Sequence, residues 1–271
     1  MTYTPVIPAS GFAGWAMLKR TMAKQTDAFV KSPEIRRDED YFRANIGKIN
    51  TAEDLVKDRR LLKVALGAFG LEADINNKAF IQKVLESKTL DTSSLANRLA
   101  DKQYLKLATT FGFGDFKTPS TKISTFPNQI LADYKSRSFE VAVGNQDGDL
   151  RLAMNAEREL VLLAKKTSSE DTKWFGILGN PALKQVFTKA LGLPSSISAV
   201  DLDQQLKVFK EKADAIFGSN TVSQFADTAK VETVLRRFLV RSQAEAVVSS
   251  VGSGAAALAM LQQTAAYMRQ R

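Results

Sequence analysis

Three groups of side chains are spaced so that they could do chemistry. Asp38-Glu39-Asp40 and Glu53-Asp54 are carboxylate clusters, the residue type that binds magnesium or shares general acid and base work. Asn145-Gln146-Asp147-Gly148-Asp149 presents oxygens in the manner of a calcium loop. Each has a simpler reading. Adjacent positions on a helix do not face one another, and acids near a helix start complement its dipole. A calcium loop needs glycine where Leu150 stands and a closing glutamate where Ala156 stands. The segment therefore reads as a turn followed by a helix that Asp149 caps.

The missing residue types narrow the chemistry further. The 271 residues contain no histidine and no cysteine. That excludes Ser–His and Cys–His triads, zinc on thiolate or imidazole, haem on histidine, and disulfides. Gly112, Gly114, Gly252 and Gly254 are not followed by the Lys-Ser/Thr pair of a phosphate loop. Trp15 and Trp174-Phe175 lie in apolar helical contexts that suit core packing. No catalytic, cofactor-binding or metal-binding residue is assigned, and the chain reads as a non-enzyme with no cofactor.

The elements around these residues are helices. A hydrophobic content of 44% with 25% charged residues is enough for a real core. Fifteen glycines and seven prolines are few for a many-turned β-sandwich. Trp15, Leu18, Met22 and Phe29 recur at three- and four-residue steps, with Gln25 in the remaining slot, and predict a helix from Ser10 to Phe29. Ser32-Pro33-Glu34 restarts the chain with serine as cap and proline in the first turn. Tyr41, Phe42, Ile46 and Ile49 supply the next apolar stripe. Thr51-Ala52-Glu53-Asp54 resembles a capping box in which Asp replaces the longer Glu or Gln.

One pattern then recurs. Asp58 to Gly70-Leu71, Asp101 to Gly112-Phe113 and Asn180 to Gly192-Leu193 each run from an N-cap residue to a glycine followed by an apolar residue. In the first and third copies Ile75, Phe80 and Val84 match Ile197, Leu202 and Leu206 in offset, which suggests a distant internal duplication of a helical module. Gly112 to Pro127 is polar and reads as a linker. The expected order is an N-terminal helix in 1–31, a first module in 32–117, and a linker with connecting helix in 118–148. A second module in 149–245 and a charge-free helix in 246–271 follow. The fold class is all-α, a multi-helix array or bundle.

The two ends carry the candidate partner-binding residues. Residues 246–268 hold no charge over the length of a membrane span, but their serines, glutamines, alanines and glycines keep the mean hydropathy too low to predict insertion. Leu258, Leu261, Ala265 and Met268 form a heptad-like seam, as Trp15, Leu18, Met22 and Phe29 do near the start. Both seams suit docking onto each other or onto a protein partner. The start of the chain lacks the charged and apolar regions of a secretory signal. A net charge of +9 raises nucleic acid as the alternative partner. Yet Arg36-Arg37, Arg59-Arg60, Lys165-Lys166 and Arg236-Arg237 lie on separate segments and read as solvated faces.

Gly11-Phe12-Ala13-Gly14-Trp15, Tyr41-Phe42-Arg43-Ala44-Asn45-Ile46 and Asp54-Leu55-Val56-Lys57-Asp58-Arg59-Arg60-Leu61-Leu62 carry a family resemblance. Ala68-Phe69-Gly70-Leu71 and Leu95-Ala96-Asn97-Arg98-Leu99-Ala100-Asp101 extend it. From about Gly11 onward the chain resembles an uncharacterised bacterial family, domain of unknown function 1217. The family brings no catalytic residues. Its genes often lie among flagellar genes, so the resemblance implies a flagellum-associated role. The expectation is a helical interaction or structural protein, cytoplasmic or exported through the flagellar route without a signal peptide.

Overall fold

A computed structural model describes the backbone of residues 3–269 and the side chains of residues 3–249. Thirteen α-helices and no strand occur among the described residues. They are α1 (Gly11–Val30), α2 (Pro33–Asn45), α3 (Ala52–Lys57), α4 (Arg59–Phe69), α5 (Lys78–Leu85), α6 (Leu95–Arg98) and α7 (Gln103–Phe111). The series continues with α8 (Phe126–Gly144), α9 (Gly148–Ala164), α10 (Glu170–Leu178), α11 (Pro181–Leu191), α12 (Leu202–Phe217) and α13 (Thr228–Arg269).

The caps follow from local chemistry. Thr51 and Asp54 form the reciprocal capping box, each backbone N–H donating to the other side chain at 3.1 Å. Aspartate reaches back far enough here. Asp58 accepts from the N–H groups of Arg60 and Leu61, and Asn180 from those of Ala182 and Leu183. Gly70 and Gly192 end α4 and α11 at φ +74° and +71°, where a side chain would strain the backbone. The N–H of Leu71 then donates to Leu66 O at 3.0 Å and that of Leu193 to Thr188 O at 2.9 Å, closing Schellman motifs.

Three cap expectations need correction. Asp101 does not cap α7; Lys102 is the N-cap, and the Asp101 carboxylate accepts only from Gln103 N–H at 2.9 Å. Asp147, not Asp149, caps α9, accepting from the N–H groups of Asp149 and Leu150. Ser32 occupies its cap position without a side-chain cap bond.

The centre of the molecule is the hairpin of α8 and α9. On one side α4 packs along α8, and α2, α3, α5 and α7 gather around α4 or one another. On the other, α11 and α13 pack on α9, while α10 and α12 close around α11. A single apolar cluster runs from Trp15 to Leu239. It crosses the boundaries expected at residues 31, 117 and 148, so the modules share one core. The connecting helix expected in 118–148 is α8, but the stretch before it is fastened to the body and is not a free linker. Phe126, Ile130, Leu131, Tyr134, Phe139 and Val143 of α8 are buried, and the Thr121 hydroxyl donates to Ile49 O at 2.8 Å.

The first and third cap–glycine copies share a local course, each continuing through a 3₁₀ turn into α5 or α12. Their surroundings differ. Phe80 packs edge-on against Tyr104 at 5.3 Å between ring centroids, whereas Leu202 is exposed. The correspondence is local, and a duplication is not shown. The boundary expected at 245 is also absent, because α13 runs unbroken from Thr228 to Arg269.

Candidate functional site

α1 packs against the part of α13 that lies on the body, and most of the N-terminal seam faces inward. Trp15 and Leu18 are 0% and 1% exposed, and Phe29 is buried edge-on against Phe139. Met22 is half-buried against the same core. Trp15, Leu18, Met22 and Phe29 were expected to bind a partner; instead they fill this chain's own interior, because α1 lies across α8, α9 and α13. Gln25 interrupts the seam for a local reason. Its Oε1 accepts from Val6 N–H at 2.7 Å and its Nε2 donates to Val6 O at 3.1 Å, fastening the preceding chain to α1.

The C-terminal helix behaves differently along its length. Val231, Val234, Leu235, Phe238, Leu239 and Ser242 are buried on the body. At its root the Arg236 guanidinium lies over the Phe12 ring at 5.4 Å. From Gln243 to Ser249 every side chain is exposed, including Val247 and Val248. Roughly 40 Å of helix follows Ser242 at the usual rise per residue. Leu258, Leu261 and Met268 lie outside the residues whose side chains are described. No helix among the described residues is long and apolar enough to cross a membrane.

The carboxylate clusters are spent on tying elements together. Asp38 is buried and accepts from Lys63 Nζ at 2.8 Å and Tyr134 OH at 2.7 Å, joining α2, α4 and α8. Burial pushes the Glu39 carboxyl up, but Lys135 and Arg43 more than offset this and hold it below its ordinary value. Glu53 pairs with Lys57 at 2.6 Å. Among the described residues no three acidic groups converge as metal ligands would.

A charge network between α8 and α9 was not visible in the sequence. Arg137 of α8 donates to Glu159 of α9 at 2.7 Å, while Arg158 bonds Glu140 and also reaches Glu159 at 3.3 Å. Burial lowers the Arg137 pKa and raises that of Glu140, against the opposing fields of Arg158 and Arg137. Burial also acts on Glu159, but Lys106, Arg137 and Arg158 outweigh it and keep that carboxyl low. A cavity of about 310 Å³ adjoins this network, with Asp101, Gln103, Arg137, Glu140, Arg151 and Asn155 on its wall. Burial raises the Asp101 carboxyl there. A raised carboxyl at a cavity is a general-acid candidate on principle. Glu140, however, is committed to Arg158, and two glutamates balance two arginines. Only the i, i+3 spacing of Arg137 and Glu140 hinted at this, and such spacing is equally common on solvated faces.

A second cluster brings Lys173 Nζ to 2.5 Å from Ser223 Oγ, the approach of a base to a nucleophile. Glu170 removes that reading. It accepts from Lys173 at 3.0 Å, from the Ser223 hydroxyl, and from the N–H of Val222 at 2.6 Å. Burial opposes its charge, yet these bonds hold the carboxyl at about 2. The serine proton is thus directed at a carboxylate, and the cluster staples the segment after α12 onto α10. The basic doublets are partly employed as well. Arg60 donates to Arg37 O at 3.0 Å, and Arg237 Nε donates to Ala190 O at 3.0 Å, at the negative end of α11.

Comparison with proteins of curated function gives no match. The chain is similar to a protein of Agrobacterium tumefaciens solved by X-ray crystallography, with a TM-score of 0.71 and 25% identity. That likeness covers 89% of this chain and 98% of the other. A family model described as a protein of unknown function, DUF1217, matches residues 68–231. That match spans more than half of the sequence, and the chain belongs to the DUF1217 family.

Proposed function

We propose that this chain is a non-enzymatic helical interaction or structural protein that holds a protein partner along the distal part of α13, in flagellar assembly or structure. The observation that carries this reading is that α13 outruns its body. Its last buried side chain is Ser242, yet the helix continues to Arg269 through a segment without charge between Ala246 and Met268. An isolated helix of this kind gains little from propensity alone, and tertiary or partner contacts are what normally stabilise one. The flagellar setting is supported by the genomic company that family resemblance implies. Nucleic acid has weaker support, because the arginine doublets lie apart and two of their arginines, Arg60 and Arg237, bond to this chain's own carbonyls.

The test is affinity capture from cells assembling flagella, with the full chain and with residues 246–271 deleted, alongside motility of a deletion strain. The truncated chain should keep its thermal transition within about 2 °C, since no described core residue lies beyond Ser242. Its partner should be lost. Normal motility with no flagellar partner captured, or unfolding of the truncated chain, overturns the proposal.

A further inference from the structure

An open groove of about 770 Å³ runs between α7 and the corner where α9 meets α10. Its floor is apolar, made by Leu105, Leu162, Leu163, Phe175 and Leu183. Leu162 is 55% exposed. It stands in the run Leu160-Val161-Leu162-Leu163, and the helical period turns Leu160 and Leu163 inward while leaving Leu162 outside.

The rim is basic. Lys102, Lys106 and Lys166 line it and all three are exposed. The Lys102 ammonium donates to the carbonyls of Asn97 and Leu99, at 2.7 and 3.0 Å, which leaves its charge unbalanced. Lys106 and Lys166 have no carboxylate partner within salt-bridge distance among the described residues. The one carboxylate on the groove wall, Glu159, is already held by Arg137 and Arg158. Lys106 adds its field to theirs at Glu159, and Lys102 and Lys166 stand over the apolar floor without a carboxylate.

We propose that this groove docks an acidic amphipathic helix of a partner protein, with its apolar side on Leu162 and Phe175 and its carboxylates on Lys102, Lys106 and Lys166. Helix-in-groove recognition needs an apolar strip with flanking charge of the opposite sign, and both are present. A small amphiphile is less well served, because pockets for such ligands enclose most of their surface and this floor stays open. No residue of α13 lines the groove, so the site stands independently of the partner proposed for that helix.

The experiment is fluorescence anisotropy of the full chain with a labelled synthetic helix of roughly 18 residues, leucines at i, i+3, i+4 and i+7 and glutamates on both flanks. Saturable binding that weakens as salt rises is expected. The same helix with lysine in place of glutamate should not bind. Leu162→Asp and the double change Lys106→Glu with Lys166→Glu should each weaken binding about tenfold or more. All three side chains are exposed, so circular dichroism and the melting temperature should stay at their native values and separate lost docking from lost folding. Absence of saturable binding, equal binding of the lysine helix, or indifference to both variants overturns the proposal. So does binding of a long-chain carboxylate by a chain that ignores the acidic helix.

Discussion

Replacing Glu159 by Gln should destabilise the protein more than any ordinary surface substitution. The side chains of Arg137 and Glu159 are 8% and 13% exposed, so the change leaves a guanidinium without its carboxylate where water cannot replace it. Arg158 loses its second partner at the same time and keeps only Glu140. Breaking a buried pair from one side costs about 3–5 kcal/mol. With an unfolding entropy of ~2.1 cal/mol/K per residue over the whole chain, each kcal/mol moves the melting temperature by about 2 °C. The expected fall is therefore roughly 5–9 °C in calorimetry or in circular dichroism melts. The double variant Arg137→Met with Glu159→Leu removes both charges and leaves Arg158 facing Glu140 as a neutral pair. It should recover most of the loss and end within about 2 °C of the native chain, since an apolar replacement of a buried pair is often close to neutral. With Arg137→Met and Glu159→Leu also measured singly, the double variant should lose far less than their sum, as expected for residues in one network. A fall below about 1 °C for Glu159→Gln, or additive effects in the double variant, would refute the network's role at the α8–α9 contact.

Two further outcomes follow from burial and from pKa. Leu18→Ala should cost about 2–5 kcal/mol and lower the melting temperature by roughly 4–9 °C, because the side chain is fully enclosed. Below the new transition it should leave partner capture unchanged, and a partner lost without loss of stability would return Leu18 to the interface. Glu170 gives a pH signature. Its folded pKa of about 2 lies below the unfolded value of 4.5, so its contribution is complete above pH 4.5 and is lost as pH falls towards 2. The side chain is 31% exposed, and solvent screening reduces its contribution to roughly 1–2 kcal/mol. Denaturant titrations between pH 6 and 2 should show Glu170→Gln losing stability more gently than the native chain. Parallel curves would dissociate Glu170 from the acid response.

The legible and illegible parts of this molecule divide along one physical line, between signals that act within a few residues and contacts that do not. The all-α class could be read because caps and left-handed glycines are local. Asp58 with Gly70 and Asn180 with Gly192 declare both ends of a helix without reference to any other element. The errors arose where a local signal was ambiguous. Asp147 and Asp149 are both good caps two residues apart, and only the backbone course selects the first. Polarity made 118–127 resemble a linker, although Thr121 and Phe126 are buried within it. The site was harder, because an apolar seam records that a face will be covered and says nothing about what covers it. Trp15, Leu18, Met22 and Phe29 share their three- and four-residue spacing with Leu258, Leu261 and Met268. The first set turned out to be covered from within the chain, by α8, α9 and α13. α13 has already spent its buried face by Ser242, and the side chains from Gln243 to Ser249 are exposed, with Glu245 still paired to Lys189 at 3.2 Å. The same periodicity therefore served the chain's own core at one end, and the proposal for the other end rests on the length by which α13 exceeds the body that supports it.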